Sequence, residues 1–140
     1  MCLITEQKKA IRTKEDMIVW KIVCVQGNHR VISPYHDFEW EEGRLYKTRL
    51  AVSKKPIAYD RVVQGEYNIL PFQVGEKYLK DYLPDLGLKA IGEGFHAFTD
   101  EYRADYYRTI RQFLIPAGSL IYKDKTGLIV SNQIMMLPNK

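Results

Sequence analysis

The stretch "QFLIPAGSLIYKDKTGLIVSNQIMML" (residues 112 to 137) carries the clearest fold signal in the chain. Its apolar, β-branched runs are separated by a Pro-Ala-Gly-Ser corner and by "DKTG" (124 to 127), which has the Asp and Gly positions of a type I turn. The pattern predicts a strand that ends at Ile115 and a second strand after the corner. The residues after the turn are predicted to run back beside the second strand, either as one strand or as two strands separated by a kink at Ser131 and Asn132. Such short connections indicate antiparallel pairing.

The N-terminal half shows a similar pattern of short apolar segments. The run "MIVWKIVCV" (17 to 25) is too short and too β-branched for a stable helix, so it predicts a buried strand. The sequence "QGN" that follows predicts a hairpin turn. In "YHDFEWEEGRLYKTRLAV" (35 to 52), Glu-Glu-Gly predicts a turn before an alternating strand. We expect the side of that strand that holds Tyr46 to face the core, with Leu45 and Lys47 on the other side.

A helix is expected after the segment "GEGFHAFTDEYRADYY" (92 to 107). Thr99 can cap free N–H groups, and the acidic residues that follow it suit the positive end of the helix dipole. Tyr102 and Tyr106 would then share one face. The predicted fold class is therefore α+β, a single compact domain of mostly antiparallel strands with one main helix near residues 100–110.

Length and composition fit one domain with a real core. The 140 residues divide into a polar N-terminal arm (1–16) and an α+β domain (17–140). No apolar run is long enough to span a bilayer, and the N-terminus has no secretory pattern, so no membrane partner is expected. The two cysteines suggest a reducing compartment, and we expect a cytoplasmic protein. The net charge of +4 is dispersed along the chain, so we do not expect nucleic acid as a partner.

Recognised catalytic and cofactor patterns are scarce. Cys2 could act as an N-terminal nucleophile if Met1 were removed, which is typical of a class of hydrolases. His29, His36 and His96 lie far apart and have no metal-ligand spacing, so no metal site is predicted. Phosphate-loop and dinucleotide glycine patterns are missing, so no cofactor is predicted and enzyme activity is not favoured.

The segment that contains His96 is the preferred candidate for a binding surface. Its glycines allow positive φ or close approach of another group. Alternation places His96 beside Phe98, and tyrosine and arginine side chains follow, which often carry binding energy at protein contacts. For His96 itself a structural role in the wall of the domain is favoured over contact with a ligand, although it stays the first residue to test. The candidate residues are Gly92, Gly94, His96, Phe98, Tyr102, Arg103 and Tyr106.

Several segments together resemble a group of small uncharacterised proteins of gut bacteria and their phages. The resemblance rests on "MCLIT", "SPYHDFEWEEGRLYK", "GFHAF" and "IPAGSLIYKDKTGLIVSNQIMML". It covers nearly the whole chain and implies a phage or mobile-element origin. It implies no activity. From the residues we expect a non-enzymatic binding module with a protein partner.

A second resemblance, to ADP-ribosyltransferases of the poly-ADP-ribose polymerase type, rests on "GEGFHAFTDEYRADYY" and "GLIVSNQIMML". It implies that Gly94 matches a glycine of that family's motif, that His96 takes the place of the tyrosine that stacks on nicotinamide, and that 104–106 match the following helix. The catalytic glutamate has no counterpart nearer than Asp124. The alternative function is therefore a fold that binds NAD or another nucleotide without transferring ADP-ribose.

Overall fold

The computed structural model describes residues 3–27, 30–33, 38–52, 88–101 and 109–139. These residues form short strands, which are, in chain order, β1 (Leu3–Thr5), β2 (Ile11–Arg12), β3 (Met17–Ile22), β4 (Cys24–Gln26), β5 (Arg30–Ile32), β6 (Glu39–Trp40), β7 (Leu45–Lys47), β8 (Ala51–Val52), β9 (Lys89–Glu93), β10 (Phe95–Phe98), β11 (Ile110–Ile115), β12 (Leu120–Lys123), β13 (Leu128–Ser131) and β14 (Gln133–Met136).

The described strands form one large sheet and two small ones. The large sheet has eight strands in the order β2-β12-β13-β10-β3-β11-β14-β7, and its neighbours all pair antiparallel. One small sheet has the order β1-β9-β8, and the other has the order β4-β5-β6. The longest pairing joins β3 to β11 from Met17 opposite Ile115 to Ile22 opposite Ile110. These two strands lie side by side near the middle of the large sheet.

One side of the large sheet forms the main core, which we call the core face. Alternate residues of β3 and β11 point to it, because side chains on a strand alternate between the two faces. Trp40, from the β4-β5-β6 sheet, packs on this side and makes edge-on contact with Phe113, with ring centroids 4.9 Å apart. The buried members are Val19, Val23, Val31, Trp40, Ala97, Phe113, Ile115, Ile121, Ile129, Ile134 and Met136.

On the other side of the sheet, the described residues that pack over it belong to the β1-β9-β8 sheet and lie at one end. Leu3 and Ile91 from that small sheet pack against Leu128 and Val130 of β13. The chain passes from β9 to β10 through Gly94, whose φ is 143°. A side chain there would come within 2.5 Å of the Val130 side chain, so both the close approach and the backbone conformation require glycine.

The expectation of an α+β fold with a main helix near residues 100–110 is wrong. The part of the chain that the structure describes is built of strands and contains no helix. Thr99, the expected helix cap, instead donates its N–H and its hydroxyl to the carbonyl oxygen of Gly127, at 2.8 and 3.0 Å. Arg111 lies in β11 opposite Lys21. Residues 102–108 lie outside the described residues.

Long-range pairing explains this correction. Capping residues and helical spacing are weak local preferences, and an edge that can complete a ladder overrides them. Thr99 continues the ladder beyond β10, and Ile110 joins β3 directly. The elements next to the expected helix are therefore fixed by strand partners distant in sequence.

The strands expected in the C-terminal stretch are confirmed. β11 ends at Ile115, and β12 and β13 are joined by the expected turn. Asp124 accepts hydrogen bonds from the N–H groups of Thr126 and Leu128, which explains the Asp at the first turn position. The segment after this turn forms two strands, β13 and β14, which are separated at Asn132.

The N-terminal half departs from expectation in two places. β1 and β2 lie within the expected polar arm, yet Leu3 is fully buried and β1 pairs with β9. The run from 17 to 25 is not one buried strand: β3 stays in the large sheet, and β4 passes into a hairpin with β5. No helix in the described part of the chain is long and apolar enough to cross a membrane.

Candidate functional site

His96 lies on β10 with its ring on the side away from the core face. Its Nδ1 is 3.1 Å from the carbonyl oxygen of Gly94, and its Nε2 is 3.1 Å from the carbonyl oxygen of Ile91. Both acceptors belong to the same segment of chain. A neutral imidazole has one N–H, so it can donate to only one of the two carbonyls at a time.

The protonation of His96 follows from its surroundings. Burial lowers the pKa of His96 to about 4, and the positive charge of Lys21 acts in the same direction. The backbone acceptors at Ile91 and Gly94 oppose that shift but do not outweigh it. The imidazole is therefore neutral at pH 7, and the backbone around it occupies the positions that a ligand would need.

Lys21 lies on the core face of β3, between Val19 and Val23. Its ammonium group donates a hydrogen bond to the carbonyl oxygen of His96, at the point where β10 and β3 stop pairing. The Nζ atom also lies 5.5 Å from the centre of the Trp40 ring, a cation–π distance. Lys21 thus satisfies a backbone carbonyl that the sheet leaves unpaired.

Burial lowers the pKa of Lys21 to about 8. No carboxylate among the described residues forms an ion pair with it. Its cross-strand neighbour Arg111 differs, because Arg111 donates to Glu42 at 2.9 Å and to the carbonyl oxygen of Leu137 at 2.8 Å. The two cations at the margin of the core are therefore stabilised in different ways.

The structure separates the other residues of the expected surface. Phe98 packs with the cluster beneath the β1-β9-β8 sheet. Gly94 joins two strands, whereas Gly92 is exposed within β9. Tyr102, Arg103 and Tyr106 lie outside the described residues, as do Cys2, His29 and His36. The binding role of the surface around His96 stays a prediction.

The described residues also bear on the expectations for ADP-ribose transfer and for metal binding. Asp124, the nearest carboxylate to the position expected for a transferase glutamate, is used within its own turn. No group of three or more metal-ligating side chains occurs within the described ranges. NAD binding stays a prediction that rests on the resemblance.

An exposed apolar row crosses the large sheet on the side away from the core. Ile18, Leu114, Met135 and Leu45 stand directly opposite one another on β3, β11, β14 and β7. Directly paired residues project from the same face of a sheet, so the four side chains form one row. Ile18 is 44% exposed and Leu45 is 41% exposed.

Neighbouring rows extend this surface. Trp20 lies two residues along β3 from Ile18, and Ile22 pairs with Ile110 in the next row. All three are half-buried. We call the surface formed by Ile18, Trp20, Ile22, Leu45, Ile110, Leu114 and Met135 the open patch.

The patch approaches the size at which exposed apolar surface is often functional. Each position on one face of a sheet covers about 4.8 Å by 7 Å, so its seven positions span roughly 230 Å². The largest apolar patch on a typical monomer is about 300–600 Å². Its polar neighbours on the same face include Gln112 and Lys47, which are both exposed.

Sequence inspection missed most of the open patch. "MIVWKI" is apolar at nearly every position, so it predicts a strand buried on both faces and hides the exposure of Ile18. The alternation in "RLYK" did place Leu45 away from the core, and that expectation is confirmed. Only the order of strands, which joins four distant segments, reveals the row.

Comparisons with protein-family models, with curated proteins and with solved structures found no match to this chain.

Proposed function

We propose that this protein is a non-enzymatic interaction module that binds a protein partner through the open patch. The observation that supports the proposal is the register row of Ile18, Leu114, Met135 and Leu45, in which the outer two members are more than 40% exposed. Contact with a partner would remove these side chains from water, at roughly 25 cal/mol for each Å² of apolar surface buried.

The composition of the patch supports the same proposal. Aromatic residues and methionine are enriched at protein interfaces, and charged residues are depleted at interface centres. Trp20 and Met135 lie within the patch, and Lys47 lies on β7 at the edge of the sheet. Gln112, opposite Trp20, is an uncharged polar residue within the patch, and no charged residue stands among its seven members. A mostly apolar surface without charge at its centre is typical of a protein contact.

A cytoplasmic location is part of the proposal. Cys24 is free and exposed on β4. An exposed free thiol is suited to a reducing compartment, where thiols persist without forming disulfides.

The test compares two double variants that remove equally exposed side chains from different places. Ile18→Ser with Leu45→Ser changes the open patch, whereas Val25→Ser with Val52→Ser changes strands of the two small sheets. Val25 and Val52 are 55% and 56% exposed, so the control removes at least as much exposed apolar surface.

Both variants and the unaltered protein are used to capture partners from a lysate of the source cells, and a captured partner is then purified for calorimetric titration. We expect the patch variant to bind it at least about tenfold more weakly, which corresponds to about 1.4 kcal/mol, and the control to bind within twofold. Equal affinity of the patch variant and the unaltered protein would contradict the proposal.

A further inference from the structure

We infer that the partner adds an extended strand to the outer edge of β7, with an apolar side chain beside Leu45 and a carboxylate beside Lys47. This inference rests on the proposed function and specifies the form of the partner. Strand addition joins main chains by hydrogen bonds and reads alternate side chains on one face.

The hydrogen bonds of β7 show which main-chain groups point outward. The N–H of Thr48 donates to the carbonyl oxygen of Asn132 at 2.9 Å, toward β14. Main-chain groups alternate in direction along a strand, so the N–H and C=O groups of Tyr46 also point toward β14. The N–H and C=O groups of Leu45 and Lys47 therefore point away from the sheet, and the described residues supply no partner strand on that side.

β7 is distinguished from the other edges by its position. β2, at the far edge of the large sheet, and β8, at the edge of a small sheet, contain two residues each. β4 has three exposed residues but belongs to the separate β4-β5-β6 sheet. Among the described strands, the exposed row that begins at Ile18 reaches an edge only at β7. A strand added there would gain both main-chain hydrogen bonds and a continuous apolar neighbour.

The charges along β7 determine the kind of strand that fits. Arg44 forms an ion pair with Glu41, and Arg49 forms one with Glu93. Lys47 is exposed, and no described carboxylate forms an ion pair with it. Lysine on an edge disfavours basic or identical strands, and an opposite charge directly across stabilises the pair. An acidic strand is therefore the complementary occupant.

The size of the patch also favours a single strand over a second copy of this protein. A standard interface buries about 800 Å² on each partner, more than twice the area of the open patch. Antiparallel pairing of two β7 strands would also bring two basic segments, residues 44–49 of each copy, together. One acidic segment needs less surface and meets no such repulsion.

The probe is a synthetic peptide that repeats Val-Thr-Glu-Thr twice, so that valine and glutamate alternate on one face. Binding is measured by fluorescence anisotropy, and the site is mapped by amide chemical shifts in the full-length protein. We expect shifts at residues 44–48 and along β14. A control peptide with lysine in place of glutamate should bind about fivefold or more weakly.

Methylation of the peptide nitrogen separates strand addition from simple apolar contact. The described strand pairs of the large sheet are all antiparallel, and we expect the added strand to follow them. In that arrangement valine and glutamate stand opposite Leu45 and Lys47, so their N–H groups donate to β7, whereas the threonine N–H groups point outward. We expect methylation at valine and glutamate to weaken binding about tenfold or more. Methylation at threonine is the matched control and should change the affinity less than twofold.

A charge reversal in the protein completes the test. Lys47→Glu should reverse the preference, so that the lysine peptide binds more tightly than the glutamate peptide. Lys9→Glu, at an exposed lysine that precedes β2 at the opposite edge, should leave the preference unchanged.

The outcomes distinguish this inference from the proposed function. Peptide binding that shifts Ile18, Leu114 and Met135 but not β7 would overturn strand addition and leave the interaction module standing. No binding by either peptide at millimolar concentration would also overturn strand addition. Concentration-dependent self-association abolished by Lys47→Glu would assign the edge to a second copy and overturn the acidic occupant.

Discussion

The two sides of the large sheet differ although the same strands build both. On β11, Phe113 is fully buried on the core face, whereas its neighbour Leu114 on the other side is half-buried. On β3, Val19 is fully buried and Ile18 is 44% exposed. Adjacent residues of similar hydrophobicity therefore have opposite environments.

The difference lies in what covers each side. Trp40 and its aromatic neighbours lie over the core face, where Trp40 contacts Tyr46 and Phe113 at centroid distances of 5.0 and 4.9 Å. On the opposite side the β1-β9-β8 sheet contacts β12 and β13, and the β3-β11-β14-β7 half carries the open patch. The comparison teaches that a β-sheet can carry apolar residues on both faces while the described residues bury one face much more completely than the other.

The largest effect is expected from truncation on the core face. Phe113→Ala should lower the free energy of unfolding by about 3–5 kcal/mol, because it removes a fully buried ring and leaves a cavity. Leu114→Ala, one residue away, should lower it by less than about half as much. Urea unfolding of both variants measures the difference. Phe113→Leu supplies a folded variant if the alanine variant is too unstable, and equal losses at 113 and 114 would remove the distinction between the faces.

Lys21 is expected to make the core face sensitive to alkaline pH. Burial lowers its pKa from 10.5 to about 8, so the unfolded chain binds more protons between these two values. The free energy of unfolding should therefore rise with pH through that window, by at most roughly 3 kcal/mol. Lys21→Met should lack this rise.

Other lysines and tyrosines titrate in the same pH range. The informative quantity is therefore the difference in unfolding free energy between the unaltered protein and Lys21→Met, measured at pH 7.5, 9 and 10. A difference that stays constant across this range would show that Lys21 is not desolvated in the folded state.

His96 is expected to act in the acid range on the opposite side of the sheet. Its pKa is lowered from 6.5 to about 4, with burial as the main cause and the charge of Lys21 as a smaller one. The unfolded chain binds more protons between these values, so stability should fall as pH falls from 6.5 to 4, by at most about 3 kcal/mol. His96→Gln should lose less stability over that window in urea titrations. Parallel pH profiles for the two proteins would contradict the assignment.

The sequence correctly predicted the features that depend on residues close together in the chain. The Asp and Gly of the turn at 124–127, and the change of direction after Ile115, act within a few residues and are correct in the structure. The alternation around Tyr46 also identified its inner and outer sides, since Tyr46 packs against the core. These features depend on turn chemistry and on the period of two residues in a strand.

Elements that depend on distant partners could not be predicted in the same way. Thr99 carries a capping signal, but its hydrogen bonds go to Gly127. The alternation that puts Tyr46 on the core side of the stretch 35 to 52 also predicts Val52 on that side, but Val52 is exposed because the chain leaves β7 and enters another sheet at β8. The open patch combines four segments whose order in the sheet no local pattern contains.

The smallest expected change in the free energy of unfolding tests most directly whether the open patch is exposed to solvent. Ile18→Thr keeps the β-branched shape and should change the free energy of unfolding by less than about 1 kcal/mol, because 44% of the residue is already exposed to solvent. Val19→Thr is the matched neighbour: it has nearly the same shape as valine but places a hydroxyl in the core, which should cost about 1–3 kcal/mol. Equilibrium urea unfolding with equal slopes measures both. If Ile18→Thr costs as much as Val19→Thr, another part of the chain covers the patch, and the surface proposed for a partner is already occupied.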